Sequence, residues 1–181
     1  MSGLPDKEFA RRASEVELIL CDVDGVLTDG GLYYDRRGHG ALRFDVKDGL
    51  GLKLAQRAGL KTGVLSGRAS AALDHRAHEL GLDIIVSGSR DKSAALDELL
   101  ERHEITARRI AFIGDDLPDL VALARCGLTF APSDAVAEVR TVVHRVLTAG
   151  GGHGAVREMV EAILRARGDW EKVVRPFTFD R

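Results

Sequence analysis

Four short stretches of this 181-residue chain carry residue types that suit one kind of reaction. Asp22-Val23-Asp24-Gly25-Val26-Leu27-Thr28 offers two carboxylates one residue apart. Ser66-Gly67-Arg68 offers a hydroxyl, a small residue and a guanidinium; Lys92 offers an ammonium; Gly114-Asp115-Asp116 offers more acid, with Asp119 three residues on. A phosphate monoester is a dianion, so a carboxylate attacks it only where that charge is neutralised. A Mg²⁺ on hard oxygen ligands does this with one or two carboxylates, waters and phosphate oxygens. Asp22 and Asp115 are the expected carboxylate ligands, and Asp24 lends its backbone carbonyl. Lys92 adds a point charge, and the Ser66 hydroxyl and Gly67 amide donate to phosphate oxygens. Gly25 lets the backbone come close to the phosphate. Asp22 is the expected nucleophile; Asp24 protonates the departing alkoxide, then takes a proton from the water that cleaves the acyl-phosphate.

These groups can cooperate only if folding delivers them to one edge. Each block stands where an apolar run ends or where the next helix begins. The strand expectations are Val16–Cys21, Thr62–Leu65, Asp83–Val86, Arg109–Ile113, Leu128–Ala131 and Val142–Val146. Helical patterns lie between them at about 48–58, 69–80, 92–103, 117–125, 134–140 and 155–167. In the third of these, Ala95, Leu96, Leu99 and Leu100 form one apolar face after a capping Asp91. Gly81 and Gly127 follow their helices where a left-handed cap is expected. Alternation of this kind predicts an α/β fold: a doubly wound, Rossmann-like parallel sheet covered on both faces, with ligands at the carboxyl ends of its strands. Leu32–Asp35 and Ala41–Val46, around Arg36-Arg37-Gly38-His39-Gly40, read as a β-hairpin inserted after the first strand. The chain reads as a single domain over 1–181, with a core at about 16–167 and a tail at 168–181 that loses periodicity.

The bulk numbers exclude other classes. A formal net charge of −2 gives no electrostatic reason to expect nucleic acid or an anionic membrane as partner. No apolar run approaches the roughly 20 residues that span a bilayer, and the opening residues lack a signal peptide's apolar core. Two cysteines, Cys21 and Cys126, make no disulfide framework. A reducing cytoplasm is the expected location.

The four blocks resemble the haloacid dehalogenase superfamily of phosphatases: its DxDxxxT motif is matched by Asp22 to Thr28, its second-motif hydroxyl by Ser66, its third-motif lysine by Lys92, and its acidic fourth motif by Gly114 to Asp119. Longer blocks at 21–34, 44–54, 66–70, 114–120 and 149–159 are similar to the subfamily that acts on 3-deoxy-D-manno-octulosonate 8-phosphate, over about residues 16–165. The resemblance implies a Mg²⁺ phosphatase of lipopolysaccharide sugar synthesis, without a cap domain. It further implies a homotetramer, built partly by the hairpin, whose glycine-rich C-terminal segment closes over a neighbouring subunit's site. Asp45, Val46, Lys47, Asp48, Gly49, Lys53, Arg68, Arg76 and Lys92 are its implied contacts to a small phosphorylated sugar acid, beside Asp24, Gly25, Ser66 and Gly67 at the phosphate. Lys47, Lys53 and His153 stand where the subfamily carries arginine, and lysine lacks the planar two-bond grip on a carboxylate.

Other readings stay open at this level. Nine-carbon keto-sugar phosphates are handled by relatives with the same blocks. A phospho-accepting signalling module also gathers acids, a hydroxyl and a lysine around Mg²⁺, although its acidic pair lies at the first strand and its phosphorylated Asp at a later one. A silent regulatory subunit is the third alternative. Gly150–Gly154 lacks the spacing of a nucleotide loop. His39 and His153 are proton shuttles or exposed turn residues; Arg157 and Glu158 are a solvated pair or part of a closing tail. Trp170, Phe177 and Phe179 anchor on a neighbour or are loose ends.

Overall fold

The computed structural model describes residues 4–37 and 40–177. Six of the apolar runs become β1 (Leu18–Cys21), β4 (Lys61–Leu65), β5 (Ile84–Val86), β6 (Ile110–Ile113), β7 (Leu128–Ala131) and β8 (Arg145–Val146). They form one sheet in the order β5-β4-β1-β6-β7-β8, every pair parallel. β1, β6 and β7 are buried along their whole length, as strands covered on both faces must be.

The period-two alternation of these strands splits the core in two. Ile19, Cys21, Ala111, Ile113, Leu128 and Phe130 face a layer built by α1 (Asp6–Glu15), α2 (Val46–Arg57), α3 (Ala71–Leu80) and α7 (Ala155–Arg167). Leu18, Leu20, Ile110 and Phe112 face α4 (Lys92–Arg102), α5 (Leu120–Leu123) and α6 (Ala137–Val142). Helix α2 is a poor helix by propensity, since Gly49 and Gly51 interrupt it. Its glycines serve packing: a Cβ on Gly51 would sit 3.0 Å from the Arg157 Cα of α7, and one on Gly49 would meet the Arg76 guanidinium at 2.3 Å.

Several expectations are corrected. The hairpin is shorter than the sequence pattern, with β2 (Tyr33–Tyr34) antiparallel to β3 (Gly40–Ala41) and a lone bridge between Thr28 and Phe44. The extended run stops before Val46 because the Asp45 carboxylate accepts the Lys47 N–H and caps α2. His39 and Phe179 lie outside the described residues. Val142 ends helix α6, leaving only Arg145–Val146 as a strand. Residues 117–125 break into a 3-10 turn at Leu117–Asp119, closed by an Asp116/Asp119 capping box with Pro118 inside it, and then α5.

Helix α1 was not foreseen. Phe9 and Ala13 are its buried residues, four apart, and Phe9 meets Phe130 edge-on at 6.1 Å between centroids. Residues 168–177 are also more ordered than their composition implies: α8 (Trp170–Val174) packs on α7, with Trp170 facing the guanidinium groups of Arg157 and Arg165. Trp170 is therefore anchored on its own chain.

Gly81 is left-handed, φ +56°, as a helix end requires. Gly127 is not. A Cβ there would lie 1.8 Å from the Arg108 carbonyl oxygen, so its glycine is needed for close approach. Gly127→Ala is expected to destabilise the fold by about 3 kcal/mol, measured as a lower urea midpoint at unchanged slope.

Candidate active site

In the strand order above, the chain leaves β1 towards β4 and β5 on one side, while β6, β7 and β8 fill the other. The β1/β6 boundary is thus the sheet's switch point, where a crevice opens at the strands' carboxyl ends. Cys21 pairs in register with Ile113, and the Asp22 N–H donates to the Ile113 carbonyl at 3.0 Å. The first and fourth motifs therefore emerge side by side.

Lys92 reaches this point from the first residue of α4, whose N-terminus is held by Asp91 accepting the Ser93 and Ala94 N–H groups, each at 3.0 Å. Its ammonium donates to Asp22 Oδ1 and to Asp119 Oδ1, both at 2.6 Å. All three side chains are buried. Asp119 is fully committed, because its Oδ2 accepts the N–H groups of Asp115 (2.9 Å) and Asp116 (3.2 Å). A Cβ at Gly114 would overlap Asp119 at 2.5 Å, which explains that glycine.

Asp22, Asp115 and Asp119 each offer a carboxylate oxygen within 4.8 Å of the others. Asp115 Oδ1 is buried and has no hydrogen-bond partner among the described residues. Burial first, then the charges of Asp22, Asp119 and Asp116, push the Asp115 carboxyl up to about 8. Burial and Asp119 likewise raise Asp22 to about 7, against the pull of Lys92. Burial acts to lower Lys92, but Asp22 and Asp119 outweigh it and its pKa is raised. A buried, unpartnered carboxylate oxygen beside a second carboxylate fits a hard divalent cation. Asp22 and Asp115 are the groups free to hold it, whereas the Asp119 oxygens are already taken. Gly25, at φ +82°, makes room: a Cβ there would fall 2.1 Å from Asp115 Oδ2.

Asp24 turns its carboxylate the other way, into a two-bond pair with Arg68 at 3.1 and 2.5 Å. Ser66 is buried; its hydroxyl donates to the Arg68 carbonyl and accepts the Arg68 N–H, fixing the Ser66–Arg68 turn. Arg68 also borders a hollow of about 490 Å³ lined by Leu32, Tyr33, Tyr34 and Ala69–Ala71.

The implied sugar contacts divide. Asp45 caps α2 and Val46, Lys47 and Gly49 lie in its first turn, where Arg76 bonds the Asp45 carbonyl at 3.4 Å; Val46 is 77% exposed and Lys47 exposed. Asp48 and Lys53 have neighbours within this chain. Asp48 is buried, with its carboxylate on the Gly154 and Arg157 N–H groups. The Lys53 ammonium lies beside Gly81, at the end of α3 away from the site. Asp48 turns to the start of α7, while Lys53 shares the face of Gly49 one turn further along α2, towards Gly81.

His153 is exposed and bonds the Gly151 carbonyl of its own loop at 2.7 Å. Glu158 ties down the Thr148 and Ala149 N–H groups, and Arg157 pairs with Glu161. The role of Asp119 was missed although its signal was present, since an Asp three residues after Asp116 is a capping spacing.

The haloacid dehalogenase-like hydrolase family matches residues 37–127, and the chain belongs to it. It is similar to the 3-deoxy-D-manno-octulosonate 8-phosphate phosphatase of Haemophilus influenzae, 42% identical over 87% of this chain and 88% of that protein. The enzyme of the same name from Yersinia pestis is 36% identical over 91% and 88%. Among solved structures, that phosphatase from Moraxella catarrhalis, in complex with magnesium, phosphate and KDO, superposes with a TM-score of 0.92 at 37% identity, covering 95% of this chain and 99% of that one.

Proposed function

We propose that this protein is a Mg²⁺-dependent phosphatase that hydrolyses 3-deoxy-D-manno-octulosonate 8-phosphate, a lipopolysaccharide sugar precursor, through an aspartyl-phosphate on Asp22. The carrying observation is the buried Lys92–Asp22–Asp119 array beside the unpartnered Asp115 oxygen. Asp22, Asp115 and the Asp24 carbonyl hold the cation, which when bound neutralises phosphate oxygens and the facing carboxylates. Asp22 attacks the phosphorus and forms a P–O bond as the sugar P–O bond breaks, and Asp24, released from Arg68 and protonated, gives its proton to the leaving alkoxide. Asp24 then takes a proton from water, whose oxygen displaces Asp22 and releases phosphate. Lys92 keeps Asp22 oriented, and the Ser66 hydroxyl and Gly67 amide meet phosphate oxygens. Arg68, on exchanging its Asp24 partner, and Arg76, now on Glu79 and the Asp45 carbonyl, are the guanidinium groups that would meet the sugar's carboxylate.

The deciding measurement compares phosphate release from eight- and nine-carbon 3-deoxy-2-keto sugar phosphates, with and without Mg²⁺. A higher kcat/KM for the eight-carbon substrate is expected; the reverse preference moves the reading to the nine-carbon acid, and no release from either ends it. A tetramer and a cytoplasmic location belong to the same proposal. The exposed Leu32, Tyr33 and Tyr34 of the hairpin support the tetramer, which light scattering tests.

The raised carboxyls set a pH dependence. Asp22 and Asp115 titrate near 7 and 8 in the metal-free fold, against an ordinary 3.8. Between those values the metal-free fold holds more protons than the unfolded chain, so its stability falls as pH rises through the window. Mg²⁺ must displace these protons. Its affinity is expected to rise from pH 6 to 9, and its addition at pH 7 to acidify a weakly buffered solution, read by calorimetry in buffers of different ionisation heat.

A further inference from the structure

The loop that carries Asp22 and Asp24 rests on a segment from the far end of the chain. The Gly152 N–H donates to the Val26 carbonyl at 2.8 Å. Gly151 is pressed so closely onto the Gly25 carbonyl that a Cβ would sit 1.9 Å from its oxygen, and a Cβ on Gly152 would sit 2.4 Å from the Asp29 nitrogen. Arg43 joins the two segments from outside, donating to the Gly152 carbonyl at 2.7 Å and lying 3.7 Å from Asp29.

Beyond the His153 ring on the Gly151 carbonyl, the glycine segment has no side chains with which to hold itself in place. Two carboxylates do so. Asp134 accepts the Gly151 N–H at 3.0 Å. Asp48, from the first turn of α2, accepts the Gly154 N–H at 3.2 Å and the Arg157 N–H at 2.8 Å. Its anion thereby meets the positive end of the 13-residue helix α7. No cation pairs with Asp48 among the described residues, so a buried charge is spent on two backbone amides. An interior carboxylate of that kind fixes geometry, since both its oxygens demand their donors.

We infer that Asp48 is a positioning residue: by tying α2 to the start of α7 it seats Gly151 and Gly152 under the Gly25 and Val26 carbonyls, and so sets the loop that aims Asp22 and Asp24. The inference rests on the phosphatase reading for its kinetic arm alone. It moves Asp48 out of the sugar-contact set, and the two roles give opposite kinetics.

Asp48→Asn keeps the shape but presents an NH₂ to one of the two amides. At a temperature well below its melting point, kcat is expected to fall on the order of 10-fold, with KM within about twofold. Its crystal structure is expected to show residues 25–29 displaced. A rise in KM at unchanged kcat would mean that Asp48 touches substrate, and overturns the inference. So does a lowered melting temperature with unaltered kcat in the folded fraction, or an unmoved loop. Should Asp48→Asn fail to fold, Asp134→Ala decides, because Asp134 is exposed; a fall in kcat of about threefold is expected, and no change refutes the role. A wild-type protein without phosphatase activity removes the functional reading, while the crystallographic comparison still tests the seating.

Discussion

Asp22→Asn is expected to lower kcat by on the order of 10⁴-fold or more, while leaving the protein folded. Asparagine matches aspartate in shape, but its amide is neither a nucleophile nor a leaving group from phosphorus. Its carbonyl oxygen can still accept from Lys92 where Asp22 Oδ1 does now. Removing the charge also relieves the burial cost and the repulsion with Asp119 that raise the Asp22 carboxyl, and the push of Asp22 on Asp115. The metal-free variant is therefore expected to be at least as stable as the parent. Single-turnover phosphate release with Mg²⁺, alongside a melting curve, separates lost chemistry from lost structure. Full activity in this variant would take the nucleophile away.

Lys92→Met is expected to lose on the order of 10²–10³-fold in kcat/KM and to lower metal-free stability by about 3 kcal/mol. Methionine replaces the bulk of the buried stem but leaves Asp22 and Asp119 facing each other with no cation between them. Without the pull of Lys92 the Asp22 carboxyl protonates at higher pH, so fewer molecules carry the ionised nucleophile. Added Mg²⁺ is expected to recover more of the melting temperature in the variant than in the parent, because the ion supplies the missing positive charge. An unchanged kcat/KM would reduce Lys92 to a core ion pair.

The strands were legible because burial on both faces writes itself as short apolar runs, and Leu18–Cys21 or Ile110–Ile113 admit little else. The strand-end acids were legible for the same reason. Helix α1 was not, since only Phe9 and Ala13 are buried among charges that read as a solvated start. The Val142–Val146 strand was overdrawn because β-branched residues at a helix end resemble a strand. What stayed hidden is tertiary. Nothing near Asp48 announces that its partners are Gly154 and Arg157, and nothing near Lys53 says that its ammonium lies beside Gly81. The Asp24–Arg68 pair is likewise a contact between separate strand ends.

The hydrogen bond from Gly152 to Val26 also orders events in time. A ribosome has produced every carboxylate and the lysine of the crevice by residue 119, long before it adds the glycines that underlie the first loop. The emerging polypeptide can pair its central strands early, yet its reactive carboxylates stay unsupported until α7 docks. A chain released before Gly150 should thus lack the cover of α7 on one sheet face and be inert, so that premature termination yields silent fragments rather than unregulated ones.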